Sequence, residues 1–141
     1  MTGPFFVDTN ILVYADDRRD RRKQTLARDL VRLALTSGKG RLSTQVLTEF
    51  FAVATRKLGL AAATVRRRVE VYASLPVFRP AAEDLLNAID LHRLHGFAIW
   101  DALIVRAALA SGCRVLYTED LQHGRTFDGL EIVDPFANDR P

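Results

Sequence analysis

Short apolar runs alternate with longer segments of helical period along this chain. The run "FFVD" at 5–8 reads as a buried strand that ends on a carboxylate, and "TNILVYADD" behind it begins with polar residues suited to capping a helix. From Asp20 to about Ser37 the apolar positions Leu26, Leu30, Val31, Ala34 and Leu35 recur at helical spacing until Gly38 and Gly40 stop the run. "RLS" is a brief strand, after which Thr44 is expected to cap a helix carrying Val46, Leu47, Phe50, Val53 and Ala54 as far as the Gly59 stop. "AAATVRRRVEVYASL" is a further helix ended near Pro76, "VFRP" is short and β-like, and "AAEDLLNAIDLHRLHG" and "AIWDALIVRAALASG" are two more helices with glycine stops. "RVLYT" and "EIVD" close the chain as strands. Strands alternating with helices in this way predict an α/β fold around a mostly parallel sheet.

Composition narrows the function classes. With 141 residues, 48% of them hydrophobic and 26% charged, the chain has the balance of a folded domain and lies far from that of disordered chains. Cys113 is the only cysteine, which excludes an internal disulfide or a multi-thiolate zinc site and fits a reducing, cytoplasmic setting. No secretion signal precedes the first strand and no apolar run reaches the roughly 20 residues needed to span a bilayer, so no membrane association is expected. The net charge of +3 is modest, yet the positive residues bunch in "RRDRRKQ" and "VRRRVE", which permits a polyanionic partner.

The acids suggest what that partner meets. In open α/β sheets ligands bind outside the carboxyl ends of the strands, where the following helices begin. Asp8 ends the first strand, Glu49 lies in the early turns of the helix after "RLS", Asp101 lies in the first turn of "AIWDALIV", and Asp120 lies just beyond "RVLYT", so all four are expected at one edge. Asp101 is the most informative, because its helical neighbours Phe97, Ala98, Ile104 and Val105 are apolar. Arg106, about 140° away round the helix, is a poor local partner for it. Clustered carboxylates repel and need a cation; oxygen ligands without His or Cys favour Mg²⁺, with Mn²⁺ as a substitute. The implied chemistry is phosphoryl transfer or phosphodiester hydrolysis.

The segments "VDTNILVY", "LTEF", "WDALIV" and "TEDL", in that order, resemble the PIN-domain ribonucleases, and within them the VapC toxins of type II toxin–antitoxin pairs. The resemblance runs from Phe5 to about Phe136 and implies a single PIN-like nuclease domain over 1–141. It implies a three-layer fold with a five-stranded, mostly parallel sheet and helices on both faces. Asp8, Glu49, Asp101 and Asp120 match the family's catalytic, metal-binding acids. Thr9 and Asn10 match the polar pair after the first acid, Thr118 matches the hydroxyl before the last, and Glu119 stands beside Asp120 as an alternative ligand. The resemblance further implies Mg²⁺-dependent endonucleolytic hydrolysis of RNA, an antitoxin protein as partner, and a homodimer.

Arg18, Arg19, Arg21, Arg22 and Lys23 flank the first acidic segment and are candidates for gripping the RNA backbone. Trp100 could stack a base, but a lone tryptophan in an apolar helix, like Tyr14, Phe50 and Phe51, reads as core. His92 and His95 have a spacing that could hold a metal, and packing is the simpler reading for both. Two other enzyme-like readings weigh less. A haloacid-dehalogenase-type phosphatase expects an acid where Asn10 stands, and a signalling receiver expects an acidic pair and a mid-chain phosphoacceptor. A non-catalytic RNA-binding module would have no use for all four acids.

Overall fold

In a computed structural model describing residues 3–137, the first strand β1 (Phe5–Val7) lies between two parallel neighbours. Phe5, Phe6 and Val7 are all buried, and since their side chains alternate between faces, both faces of the sheet are covered at this strand. The ends of the domain expected over 1–141 lie outside the described residues.

After β1 come helices α1 (Thr9–Ala15) and α2 (Arg21–Ser37), strand β2 (Gly40–Ser43), helices α3 (Thr44–Arg56) and α4 (Ala62–Tyr72), and strand β3 (Val77–Phe78). Helices α5 (Ala82–His95) and α6 (Ile99–Ala110), strand β4 (Val115–Tyr117) and the hairpin of β5 (Thr126–Phe127) and β6 (Leu130–Val133) complete the chain. The sheet order is β3-β2-β1-β4-β6-β5, with every pairing parallel except β5 with β6. The path moves outward from β1 to β2 and β3, then returns to place β4 on the other side of β1. The order therefore reverses between β1 and β4, and a crevice opens at their carboxyl ends.

Local sequence explains several element ends. Asp20 caps α2 by accepting from the Lys23 N–H, and Gly38 closes it in the left-handed conformation. Gly40 is required for a different reason: a Cβ there would lie 2.5 Å from the Cβ of Ala34, so α2 packs directly on the backbone of β2. Helix α3 is capped by Ser43, whose hydroxyl accepts from the Val46 N–H, and not by Thr44. The five expected strands are all present. A sixth, β5, arises because Asp128 and Gly129 both take positive φ and fold Thr126–Phe127 back on β6.

Two aromatic residues expected in the core are outside it. Trp100 is 64% exposed and Phe51 40% exposed, whereas Phe50 is fully buried. Phe51 lies one position round α3 from the core-facing Phe50. Trp100 sits in the first turn of α6, before the turns that bury Ala102, Ile104 and Val105. Among the described residues no helix is long and apolar enough to cross a membrane.

Candidate active site

Asp8 follows β1 directly and acts as the N-cap of α1, with its carboxylate accepting from the Thr9 N–H at 2.7 Å. Its other oxygen accepts from the Thr118 hydroxyl at 2.8 Å, across the β1–β4 switch point. Asp8 is 4% exposed. Burial raises its pKa to about 7 against the two hydrogen bonds that lower it, and nearby Asp120 and Glu49 push it further upward.

Thr118 is fully buried. Its hydroxyl donates to Asp8 and accepts from the Asp120 N–H and the Asn10 amide, both at 3.1 Å, which fills its hydrogen-bonding capacity. The Asn10 amide also donates to an Asp120 carboxylate oxygen at 3.0 Å, and the Asn10 carbonyl accepts from the Glu119 N–H at 3.3 Å. The turn after β4 is thereby tied to the first turn of α1, and Asp120 is held on the groove side.

Glu49 comes from the second turn of α3. One oxygen accepts from the Thr9 hydroxyl at 2.6 Å and the other from the Gln45 amide at 3.0 Å. The same Gln45 amide reaches the Trp100 carbonyl at 3.1 Å, joining α3 to the first turn of α6. Asp101 lies in that turn, half-buried. Burial raises its pKa, with further contributions from Asp120 and then Glu49. Arg106 does not serve it and instead pairs with Asp84 at 2.9 Å.

The four acids expected at one edge are thus brought within electrostatic reach of one another. Among the described residues none of them forms an ion pair with Lys, Arg or His; the bridges that occur use other acids. Among those residues no group of three or more acidic, His or Cys side chains stands close enough together to hold a metal ion as they lie. Such an open, oxygen-only arrangement fits Mg²⁺, which takes one or two carboxylates directly and keeps water in its other positions. Glu119 differs from the four: the Lys23 ammonium holds it at 2.7 Å, and that ammonium also reaches the Tyr14 hydroxyl at 3.3 Å and lies over the Tyr14 ring.

The basic segment is committed to partners both local and distant. Arg19 forms a two-pronged pair with the buried Asp17, Arg21 donates to Gln24, and Arg22 donates to the Phe136 carbonyl. Arg18 is exposed. His92 bonds the Phe97 carbonyl, and the His95 ring packs on Phe97 and Phe127. Three residues drew no functional notice in the sequence: Asp17 and Lys57, which line the groove, and Gln45, which bonds Glu49 beside it. Lys57 shares one groove of about 500 Å³ with Glu49, Asp120 and Arg19. Its spacing of two helical turns from Glu49 was the available signal.

The PIN domain family model matches residues 5–127. The chain belongs to the PIN domain family. No curated protein matches the sequence. Solved structures with the same fold include a toxin–antitoxin complex from Klebsiella pneumoniae, 18% identical with a TM-score of 0.67, covering 95% of this chain and 98% of that one. Another is VapC20 of Mycobacterium tuberculosis, described as a Sarcin-Ricin loop cleaving toxin, 20% identical with a TM-score of 0.62 over 79% of this chain and 86% of that one. A third is VapBC2 of Rickettsia felis bound to a promoter DNA fragment, 20% identical with a TM-score of 0.59 over 91% and 96%. This PIN domain carries its acids at the crevice its own strand order creates.

Proposed function

We propose that this PIN domain protein is a divalent-metal-dependent endoribonuclease, the toxin of a toxin–antitoxin pair. The observation that carries the reading is the Asp8 carboxylate, buried beside Glu49 and Asp120 with no cationic side chain to meet it. A buried, acid-flanked carboxylate is costly to ionise unless a cation arrives from outside. The residues that would hold it are Asp8, Asp101, Asp120 and Glu49, with Mg²⁺ as the natural occupant and Mn²⁺ as a substitute. Asp120, rather than the Lys23-bound Glu119, is the ligand from the turn after β4.

A bound divalent cation supplies charge neutralisation at the scissile phosphate and a more acidic water. The chain's own groups do the positioning. Thr118 and the Thr9 N–H fix the orientation of Asp8, the Thr9 hydroxyl and Gln45 fix Glu49, and Asn10 fixes Asp120. Asn10 is an amide donor where a haloacid-dehalogenase phosphatase needs an acid, which favours the nuclease. RNA as substrate, a cytoplasmic setting, a homodimer and an antitoxin that covers the groove are parts of the same reading, supported by the fold shared with toxin–antitoxin complexes. The test is the end chemistry of products from purified protein and cellular RNA. Hydrolysis with an activated water leaves 5′-phosphate and 3′-hydroxyl ends, whereas 2′,3′-cyclic phosphate ends would overturn the mechanism.

A further inference from the structure

Among the described residues, the groove that holds Glu49 and Asp120 has acids without an ion pair at that end and a net positive charge at the other, where Asp17 meets Arg19 and Lys57. Glu49, Val53 and Lys57 line it from successive turns of α3, and Asp17 and Arg19 line it from the segment after α1. Eight residues of helix separate Glu49 from Lys57, about 12 Å at a rise of about 1.5 Å per residue. The Arg19 guanidinium is committed to Asp17 through two bonds of 2.9 Å. Lys57 stands near the same carboxylate, whose pKa is lowered chiefly by Arg19 and also by Lys57. One buried carboxylate therefore faces two cations, and Lys57 forms no ion pair within 4.0 Å among the described residues.

We propose that this end of the groove is a subsite for a non-scissile phosphate of the RNA strand, with the Lys57 ammonium as its main contact and the exposed Arg19 guanidinium beside it. The inference rests on the nuclease reading of the acidic end. A lysine at the carboxyl end of a helix also offsets the helix dipole. What gives this one a ligand is its place in the groove of the acids and the surplus positive charge there. A second hollow, lined by Ala52, Val53, Arg56 and Lys57, continues from it and extends the basic track along α3. At a rise of roughly 3.4 Å per nucleotide in a stacked strand, about 12 Å places the contacted phosphate three to four nucleotides from the cut.

The experiment is steady-state cleavage of a defined single-stranded RNA that the wild-type protein cuts, in Mg²⁺, across a range of KCl concentrations. Lys57→Gln is compared with Lys57→Arg and with Lys39→Gln, which alters a lysine before the amino end of β2, at the opposite sheet edge. Lys57→Gln is expected to raise KM roughly fivefold, the worth of one exposed ion contact, and to leave kcat unchanged. It should also reduce the slope of log kcat/KM against log salt by about 0.7, the value for one phosphate contact on a single strand. Lys57→Arg should restore both, and Lys39→Gln should change neither. A substrate truncated to two nucleotides on each side of the cut should abolish the difference between wild type and Lys57→Gln. Unchanged KM and salt slope in Lys57→Gln, with a wild type that cleaves, would overturn the subsite alone. A wild type that cuts no RNA in the presence of metal overturns the nuclease reading and the subsite with it.

Discussion

Replacing Asp8 by asparagine separates the energetic cost of the site from its chemistry. Asp8 is 4% exposed, and burial raises its carboxyl from an ordinary 3.8 to about 7 in the metal-free protein. Between those values the folded state binds more protons than the unfolded state, so stability falls as pH rises from about 4 to about 7 and is level above that. At about 1.36 kcal/mol per pKa unit, ionised Asp8 destabilises the fold by about 4 kcal/mol. The amide of Asp8→Asn has no such cost. It accepts from only one of the two donors that serve Asp8, the Thr9 N–H and the Thr118 hydroxyl, and the lost bond returns about 1–3 kcal/mol. The variant is therefore expected to be more stable than the wild type at pH 8 by about 2 kcal/mol, roughly 6 °C in Tm for a chain of this size. Urea unfolding of both proteins in EDTA from pH 4.5 to 8.5 measures this, and the difference between them isolates Asp8 from the other acids. A variant less stable than the wild type at pH 8, or a difference that does not change between pH 4.5 and 7, would refute the argument.

Other substitutions probe the positioning groups and the packing. Thr118→Val removes the hydroxyl that joins Asp8, Asn10 and Asp120, and should lower cleavage about 10- to 100-fold while circular dichroism stays native, as for lost outer contacts to metal ligands. Glu119→Gln should leave kcat/KM within a few-fold of wild type and Asp120→Asn should lower it more than 100-fold; the reverse order would make Glu119 the ligand. Gly40→Ala drives a methyl to 2.5 Å from the Ala34 Cβ, and is expected to cost about 1–3 kcal/mol in urea unfolding with little change in kcat per folded molecule.

Much of the fold was legible because its signals are local. "FFV" is apolar on both faces, as a strand covered by helices on both sides must be, and the glycine stops at Gly38 and Gly96 take the left-handed conformation that ends a helix. The positions of Asp8, Glu49, Asp101 and Asp120 followed from one rule, that strand carboxyl ends and helix amino ends meet at one edge. What escaped was set by distant partners. Gln45 carries no local signal, yet its amide spans 55 residues to the Trp100 carbonyl. The separate fates of Glu119 and Asp120 depend on Lys23 and Asn10, about a hundred residues away, which no local pattern announces. Trp100 looked like core because hydrophobicity alone does not say which turns of a helix face the sheet. The β5 strand was missed although Asp128 and Gly129 are a recognised hairpin pair, since Thr126–Phe127 offers a single apolar residue where the equally short Val77–Phe78 offers two.

The central claim is that the acids at the β1–β4 crevice hold a divalent cation for RNA hydrolysis. The most direct measurement is end-mapped cleavage of total cellular RNA by wild-type and Asp101→Asn protein, each in Mg²⁺ or Mn²⁺ and in EDTA. Discrete cuts by the wild type in either metal, absent in EDTA and absent in the folded variant, are the predicted result. Cuts that persist in EDTA or in Asp101→Asn, or a folded wild type that makes none with metal supplied, would contradict it.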